Sequence, residues 1–315
     1  MAQATLPRRL VVGLLGTALL VSCTNSRSER GTEAASSSSS TTPTSAAPTT
    51  TTTTVPPGPI SGFLAFGDFG GGPAQGAVAA SMLQWVRDGH RADVLVTTGD
   101  NVYDFGEPHL FEAHLKAPYR ALQTTGRPMW ATLGNHDVMR GHGPKQLEFL
   151  GLPPLPYVKT LPGVRFLFLD ANRPGDPAQK RWLADQLAAP DPPPFTVAVF
   201  HQPVFSCGLH GRTQTVIEHW YPLLNSGKVA LVLTGHDHTY ERYLTAEGTT
   251  FIVTGGGGRD LYRFIPGCDA PERRKGAVKH HFTGVEVYSD RMAITVVTTD
   301  GTLIDEVEIP AGFVP

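Results

Sequence analysis

Neither sign of charge dominates this chain of 315 residues: 28 acidic side chains stand against 26 basic ones. That balance argues against a nucleic-acid surface and gives no electrostatic case for an acidic polymer partner. Cysteine is scarce, three in all, too few to frame a fold by disulfides. Long apolar runs are missing too. The run over 10–21 would span only about 18 Å as a helix, against a bilayer core of roughly 30 Å. No internal repeat is visible, which excludes an architecture built from repeats. What is plentiful is glycine, at 34, and proline, at 27, and these imply many loops. Length and apolar content suit one large α/β domain, or at most two smaller ones.

The first 22 residues read as a processing segment. Arg8 and Arg9 form a basic region ahead of the apolar run, the layout of an export signal rather than of a membrane anchor. The run ends in Leu20-Val21-Ser22-Cys23, which resembles the lipobox of bacterial lipoproteins. That resemblance implies cleavage before Cys23 and a lipid on its sulfur, hence a membrane anchor facing outside the cell. The alternative is an ordinary signal and a secreted protein. Arg8-Arg9 also leaves twin-arginine export open, although Pro7 and Val11 fit that pattern poorly. Residues 23–59 are mostly Ser, Thr, Pro and Ala, a composition that cannot bury enough apolar surface to fold. As a tether this stretch averages roughly 30 to 35 Å end to end, and it would hold a domain over 60–315 clear of the membrane.

Within that domain, a short strand over 63–66 breaks into Gly67-Asp68-Phe69-Gly70. A helix over 74–88 carries Val78, Met82, Trp85 and Val86 on one face. The run 93–98, rich in β-branched residues and closed by Gly99, predicts a buried parallel strand. Asp100 and Tyr103 then fall in the loop at its carboxyl end, where open α/β sheets place ligands. A helical stretch over 107–122 and a strand over 129–133 follow, and two β-α-β units predict a parallel sheet. The third strand ends in Gly134-Asn135-His136-Asp137. After a proline-rich excursion over 138–156, strands are predicted over 164–169, 195–200 and 229–233, with helices over 176–189 and 213–224. The last two strands lead into His201 and into Gly235-His236-Asp237-His238. A hairpin over 240–254 and a meander over 284–309 supply antiparallel strands, so a second, mixed sheet packed on the first is expected.

Five strand ends therefore carry metal-ligand side chains: Asp68; Asp100 with Tyr103; Asn135-His136; His201; and His236 with His238. All can converge at one edge of the sheets. Two-metal hydrolysis needs such convergence, because two cations roughly 3.5 to 4 Å apart hold both the attacking and the leaving oxygen. A carboxylate can bridge the pair, while imidazole and amide oxygen complete the shells. His236 and His238, at i and i+2, would point alike along extended chain and could serve one metal each.

With those residues in place, the chain resembles the calcineurin-like metallophosphoesterases, and among them the purple acid phosphatases of the single-domain, tartrate-resistant type. Asp68 matches the GDxG block, Asp100 and Tyr103 the GDxxY block, and Asn135-His136 the GNH block followed by an acid. His201 matches the strand-end histidine, and His236 and His238 the GHxH block. The resemblance implies a four-layer α/β/β/α sandwich of two mixed sheets. It also implies a dinuclear centre of Fe(III) with a divalent iron, zinc or manganese. One metal would take Asp68, Asp100, Tyr103 and His238; the other would take Asp100 as bridge with Asn135, His201 and His236. Tyr103 discriminates, since phosphoesterases outside the purple group generally lack it, and a ferric phenolate would colour the protein.

The implied reaction is hydrolysis of a phosphomonoester by attack of a metal-bound hydroxide, with an acidic optimum. His136 would stabilise the phosphoryl group or protonate the leaving alkoxide, the alternative being an orienting histidine. His210, in Cys207-Gly208-Leu209-His210-Gly211, resembles the family's substrate-side histidine. Asp137 and Asp237 read as supporting or capping residues, and Gly255 to Gly258 as close backbone packing near the site rather than a phosphate cradle. In an exported chain Cys207 and Cys268 invite a disulfide, the alternative being two free thiols. A small-molecule phosphate ester is the expected partner, beside the membrane reached through Cys23, and the protein is expected to be a monomer. Other readings are a phosphodiesterase or nucleotide hydrolase on the same metal core, a non-catalytic surface module, and ferric redox chemistry.

Overall fold

The computed structural model describes residues 57–268 and 270–312. The expected signal segment, Cys23 and the linker as far as residue 56 lie outside the described residues. In chain order the strands are β1 Ser61–Phe66, β2 Val94–Thr97, β3 Met129–Ala131, β4 Tyr157–Leu161, β5 Val164–Phe168, β6 Phe195–Val199 and β7 Leu231–Thr234. They continue with β8 Tyr240–Leu244, β9 Thr250–Thr254, β10 Arg273–Ala277, β11 His281–Val287, β12 Arg291–Thr298 and β13 Leu303–Pro310. Two sheets result, ordered β13-β12-β11-β1-β2-β3 and β10-β8-β9-β7-β6-β5-β4. The first sheet is parallel on one side, from β1 through β2 to the edge strand β3, and the second is parallel through its centre, over β5, β6, β7 and β9. Antiparallel strands complete both sheets, so both are mixed, as the resemblance implies; the meander strands β11, β12 and β13 join the first sheet through β1 rather than the second, where chain order predicts them.

Strand alternation builds the layers. Phe63 and Ala65 of β1 face inward onto Phe166, Val197 and Leu231 of the other sheet, and Phe63 meets Phe166 edge-on at 4.9 Å. The intervening Leu64 and Phe66 face outward, onto Val78, Met82 and Trp85 of the helix Gln75–Arg87. Beyond the second sheet, Leu167, Ala198 and Val232 pack on the helices Pro177–Ala188 and Gln214–Leu224. The first of these helices starts where Asp176 accepts from the Ala178 amide at 2.8 Å, with Pro177 in its first turn. This is the four-layer α/β/β/α arrangement. Among the described residues no helix is long and apolar enough to cross a membrane.

The departures from expectation are local. The excursion over 138–156 contains a helix, Gly143–Phe149, and leads directly into the unexpected edge strand β4. The stretch expected to be helical over 107–122 breaks into short turns. One is closed by the Ala117 amide donating to the Glu112 carbonyl, five residues back. β10 has the sequence Arg-Arg-Lys-Gly-Ala and pairs at a sheet edge through its backbone, so no hydrophobic pattern announces it. Cys207 and Cys268 form a disulfide across 61 residues. Closing a loop of that length stabilises by about 4 kcal/mol.

Candidate metal centre

The carboxyl ends of β1, β2, β3, β6 and β7 lie at one edge, and each delivers its donors there. Ligand atoms of Asp68, Asp100 and His201, all buried, lie within 4.8 Å of one another. Asp100 is central: its Oδ2 accepts from the Tyr103 hydroxyl at 2.8 Å and lies 3.3 Å from His201 Nε2. On one side the Tyr103 oxygen is 3.2 Å from His238 Nε2 and 3.5 Å from Asp68 Oδ1, which lies 3.6 Å from His238 Nε2. On the other side His201 Nε2 is 3.2 Å from Asn135 Oδ1 and 3.3 Å from His236 Nδ1. All seven predicted donors are thus brought together, in two sets that share Asp100. Ligands of one octahedral cation at about 2.1 Å lie about 3 Å apart, so these spacings suit one ion per set.

His136 and His210 flank opposite sets. The His136 amide donates to Asp100 Oδ1 at 2.9 Å, its Nδ1 lies 2.7 Å from the Asp104 carbonyl, and its ring packs 4.3 Å from that of Tyr103. The His210 ring lies 4.3 Å from that of His236.

The backbone is bent to aim these groups. Asp68, Asp100 and His236 have φ of 57°, 51° and 72°, the left-handed region that side chains rarely enter. Glycine precedes donors because the loops touch. A Cβ on Gly134 would lie 2.1 Å from Asp100 Oδ1, and one on Gly235 would lie 2.3 Å from Asp68 Oδ2. The expectation of an extended segment through His236 and His238 is not met. His236 is left-handed and the Asp237 amide donates to the Gly235 carbonyl at 2.9 Å, so the two rings present different nitrogens.

The sequence profile of the calcineurin-like phosphoesterase family matches residues 62–240. The chain belongs to that family. It is 28% identical to purple acid phosphatase 4 of Arabidopsis thaliana over 256 residues, covering 70% of this chain and 74% of the plant protein. It is 25% identical to tartrate-resistant acid phosphatase type 5 of Sus scrofa over 309 residues, covering 81% and 88%. Among solved structures, purple acid phosphatase PPD1 from yellow lupin (Lupinus luteus) superposes with a TM-score of 0.70 at 17% identity. That match covers 79% of this chain and 53% of the lupin chain, so this protein spans about half of the lupin enzyme's length.

In this phosphoesterase the cluster is short of positive charge. Burial pushes the Asp68 carboxyl well above the ordinary carboxylate range. Burial alone would raise Asp100 as well, but the charge of His201, its hydrogen bond and His136 outweigh it and hold Asp100 low. Against its own burial, His201 is pushed up to about 9 by Asp100 and Asp68. Burial, then the charge of His201, pushes His236 down to about 2, and burial pushes His238 down to about 4. The Tyr103 phenol is driven well up by burial, then by Asp68 and Asp100. Two carboxylates, a phenol, an amide oxygen and two neutral imidazoles, with His201 drawing a proton in where a cation would sit, are the chemistry of a cation site, and the residues present fit a pair of metals.

Supporting contacts orient the donors. His201 Nδ1 lies 2.8 Å from the Thr98 carbonyl and His238 Nδ1 lies 2.6 Å from the Asp260 carbonyl, which turns each Nε2 lone pair inward. Asp137 accepts from the Gly134 and Val102 amides, at 2.8 and 2.9 Å, and from Gln146 at 2.9 Å. It thereby ties the Asp100 loop to the Asn135 loop, and burial, then Asp100, pushes it up to about 6. Asp237 accepts from the His210 amide at 2.8 Å. Gly255 packs closely as expected: a Cβ there would lie 2.2 Å from the Asp237 carbonyl oxygen.

Sequence reasoning missed several groups. Tyr262 stacks on His238 at 3.9 Å. Asn172 donates to the Leu133 carbonyl at 3.1 Å and accepts from Gln202 at 3.1 Å, joining the loops of Asn135 and His201. Glu241, fully buried, accepts from Ser206 at 2.8 Å and from the Cys207 amide at 3.0 Å, fixing the base of the His210 loop. Only the position of Asn172, just past the strand end at Leu169, hinted at such a role.

Proposed function

We propose that this phosphoesterase is an exported, dinuclear phosphomonoesterase of the purple acid phosphatase kind. It would be tethered through a lipid on Cys23 and the linker over 23–59, with residues 60–315 as the catalytic domain. The observation that carries the reading is Asp100, shared between two donor sets, one of which includes Tyr103. Asp68, Asp100, Tyr103 and His238 would hold Fe(III); Asp100, Asn135, His201 and His236 would hold divalent iron, zinc or manganese. Such a pair supplies Lewis-acid charge for phosphate oxygens and makes water more acidic.

The chain's own groups do the rest. Asn135 and His236 line the less enclosed half, where a phosphate oxygen can enter. The His136 and His210 imidazoles border the two sets, where they can hydrogen-bond a phosphoryl oxygen and give a proton to the departing alkoxide oxygen. Thr98 and Asp260 keep the ligand tautomers fixed through their carbonyls.

The test uses the full purified chain: its metal content, its visible spectrum, and its rates on an aryl phosphate monoester and the matching diester. Two metals per chain, a visible band that Tyr103→Phe abolishes, and preference for the monoester are expected. A diester preference overturns the substrate class, and a colourless two-metal protein overturns the iron assignment. For the anchor, Cys23→Ser should move the protein from the membrane fraction to the medium.

A further inference from the structure

We propose that the cavity at the amino ends of β5, β6 and β7 binds a small organic carboxylate with an apolar body, anchored by Arg165. The candidate metal centre occupies the opposite, carboxyl ends of the sheets, so the proposal does not rest on the phosphatase reading. The cavity has a volume of about 440 Å³ and walls that include Leu187, Ala189, Pro193, Ala230 and Pro310. Among the described residues no acidic side chain lines it. Two cations do: Arg165 on β5, and exposed Lys228 ahead of β7.

Arg165 is the unusual group. It is half-buried, and its Nη2 donates to Thr196 Oγ1 at 3.2 Å. Its Nε is enclosed and has no hydrogen-bond partner. Among the described residues Arg165 makes no ion pair, and burial, with no neighbouring charge to offset it, pushes its guanidinium down from the ordinary arginine value. Arg242 shows what this fold does elsewhere: it meets Asp305 at 2.7 Å. A half-buried guanidinium without a counter-charge is unfavourable, and its planar fork matches a carboxylate. Lys228 is exposed and keeps its own water, so Arg165 is the one cation here that is withdrawn from solvent, and a single enclosed guanidinium favours a carboxylate over a phosphate dianion. The apolar walls require that the rest of the ligand be hydrocarbon.

Titration calorimetry and thermal melts of the full chain test this with octanoate, octyl phosphate, octanol and inorganic phosphate as probes. Octanoate should bind with one-to-one stoichiometry and raise Tm, and excess inorganic phosphate should not displace it. Octanol should bind at least about tenfold more weakly, the loss of one charge-assisted contact. Arg165→Met should lose octanoate binding by a similar factor while its ligand-free Tm equals or exceeds that of the parent, because the unbalanced cation is gone. Should that variant not fold, Ala189→Trp, which fills the cavity, must abolish octanoate binding instead. Equal affinity for octanol, tighter binding of octyl phosphate, displacement by inorganic phosphate, or octanoate binding that survives these substitutions would each overturn the proposal.

Discussion

The two donor sets differ in enclosure. Asp68, Tyr103 and His238 are almost entirely buried, with exposures of 0%, 6% and 4%. In the other set His201 is fully buried too, but Asn135 and His236 are only half-buried. A closed set holds its ion by excluding competing water, whereas an open one leaves room for ligand exchange. On the proposed reading, the difference amounts to a division of labour across one shared carboxylate: a retained ion on the closed side, and exchange and substrate access on the open side.

The most damaging way to break that comparison is to remove what the halves share. Asp100→Ala should abolish both ions and lower kcat/KM by more than about a thousandfold, read by metal analysis and steady-state rates. Loss of only one ion would show that Asp100 does not bridge. Acid can blur the contrast, because the scaffold itself responds to pH. Burial pushes His281 down to about 4, so it stays neutral in the folded protein while the unfolded chain takes up a proton near 6.5. Stability should therefore be complete above that pH and fall by about 3 kcal/mol as pH drops from 6.5 to 4, with little further change from this group. His281→Gln should flatten this limb in denaturant titrations at each pH; an unchanged slope would mean another group is responsible.

Asn135→Ala sharpens the comparison from the open side. It should halve the metal content, cut kcat about a hundredfold and leave Tm nearly unchanged. Intact activity would remove Asn135 from the ligand set. The smallest effect belongs to Asn172→Ala, which unties the Asn135 loop from the His201 loop through a single amide. We expect about a tenfold weaker hold on the open-side ion and no change on the closed side, measured by chelator competition. Equal loss from both sides would show a general loosening instead.

The five candidate blocks were legible because each follows a strand, and all but that of His201 carry a glycine that the close approach of the loops requires, as at Gly134 and Gly235. The sheets were legible for a related reason, since buried strands such as 93–98 are continuous apolar runs. What stayed hidden depends on contacts made only after folding. The Thr98 and Asp260 carbonyls that orient two histidines belong to residues whose identities are immaterial to the contact. Glu241 read as one more charged residue in a strand, although five neighbouring groups converge on its carboxylate. β10 gave no signal because its pairing is carried by the main chain.

At Asp68, Asp100 and His236 the backbone is left-handed, and each such residue is held at a penalty of about 1 kcal/mol that glycine would not incur. The fold thus gives up stability at the three places where it aims a donor, so a glycine there would relax the loop in the same stroke that silences the site.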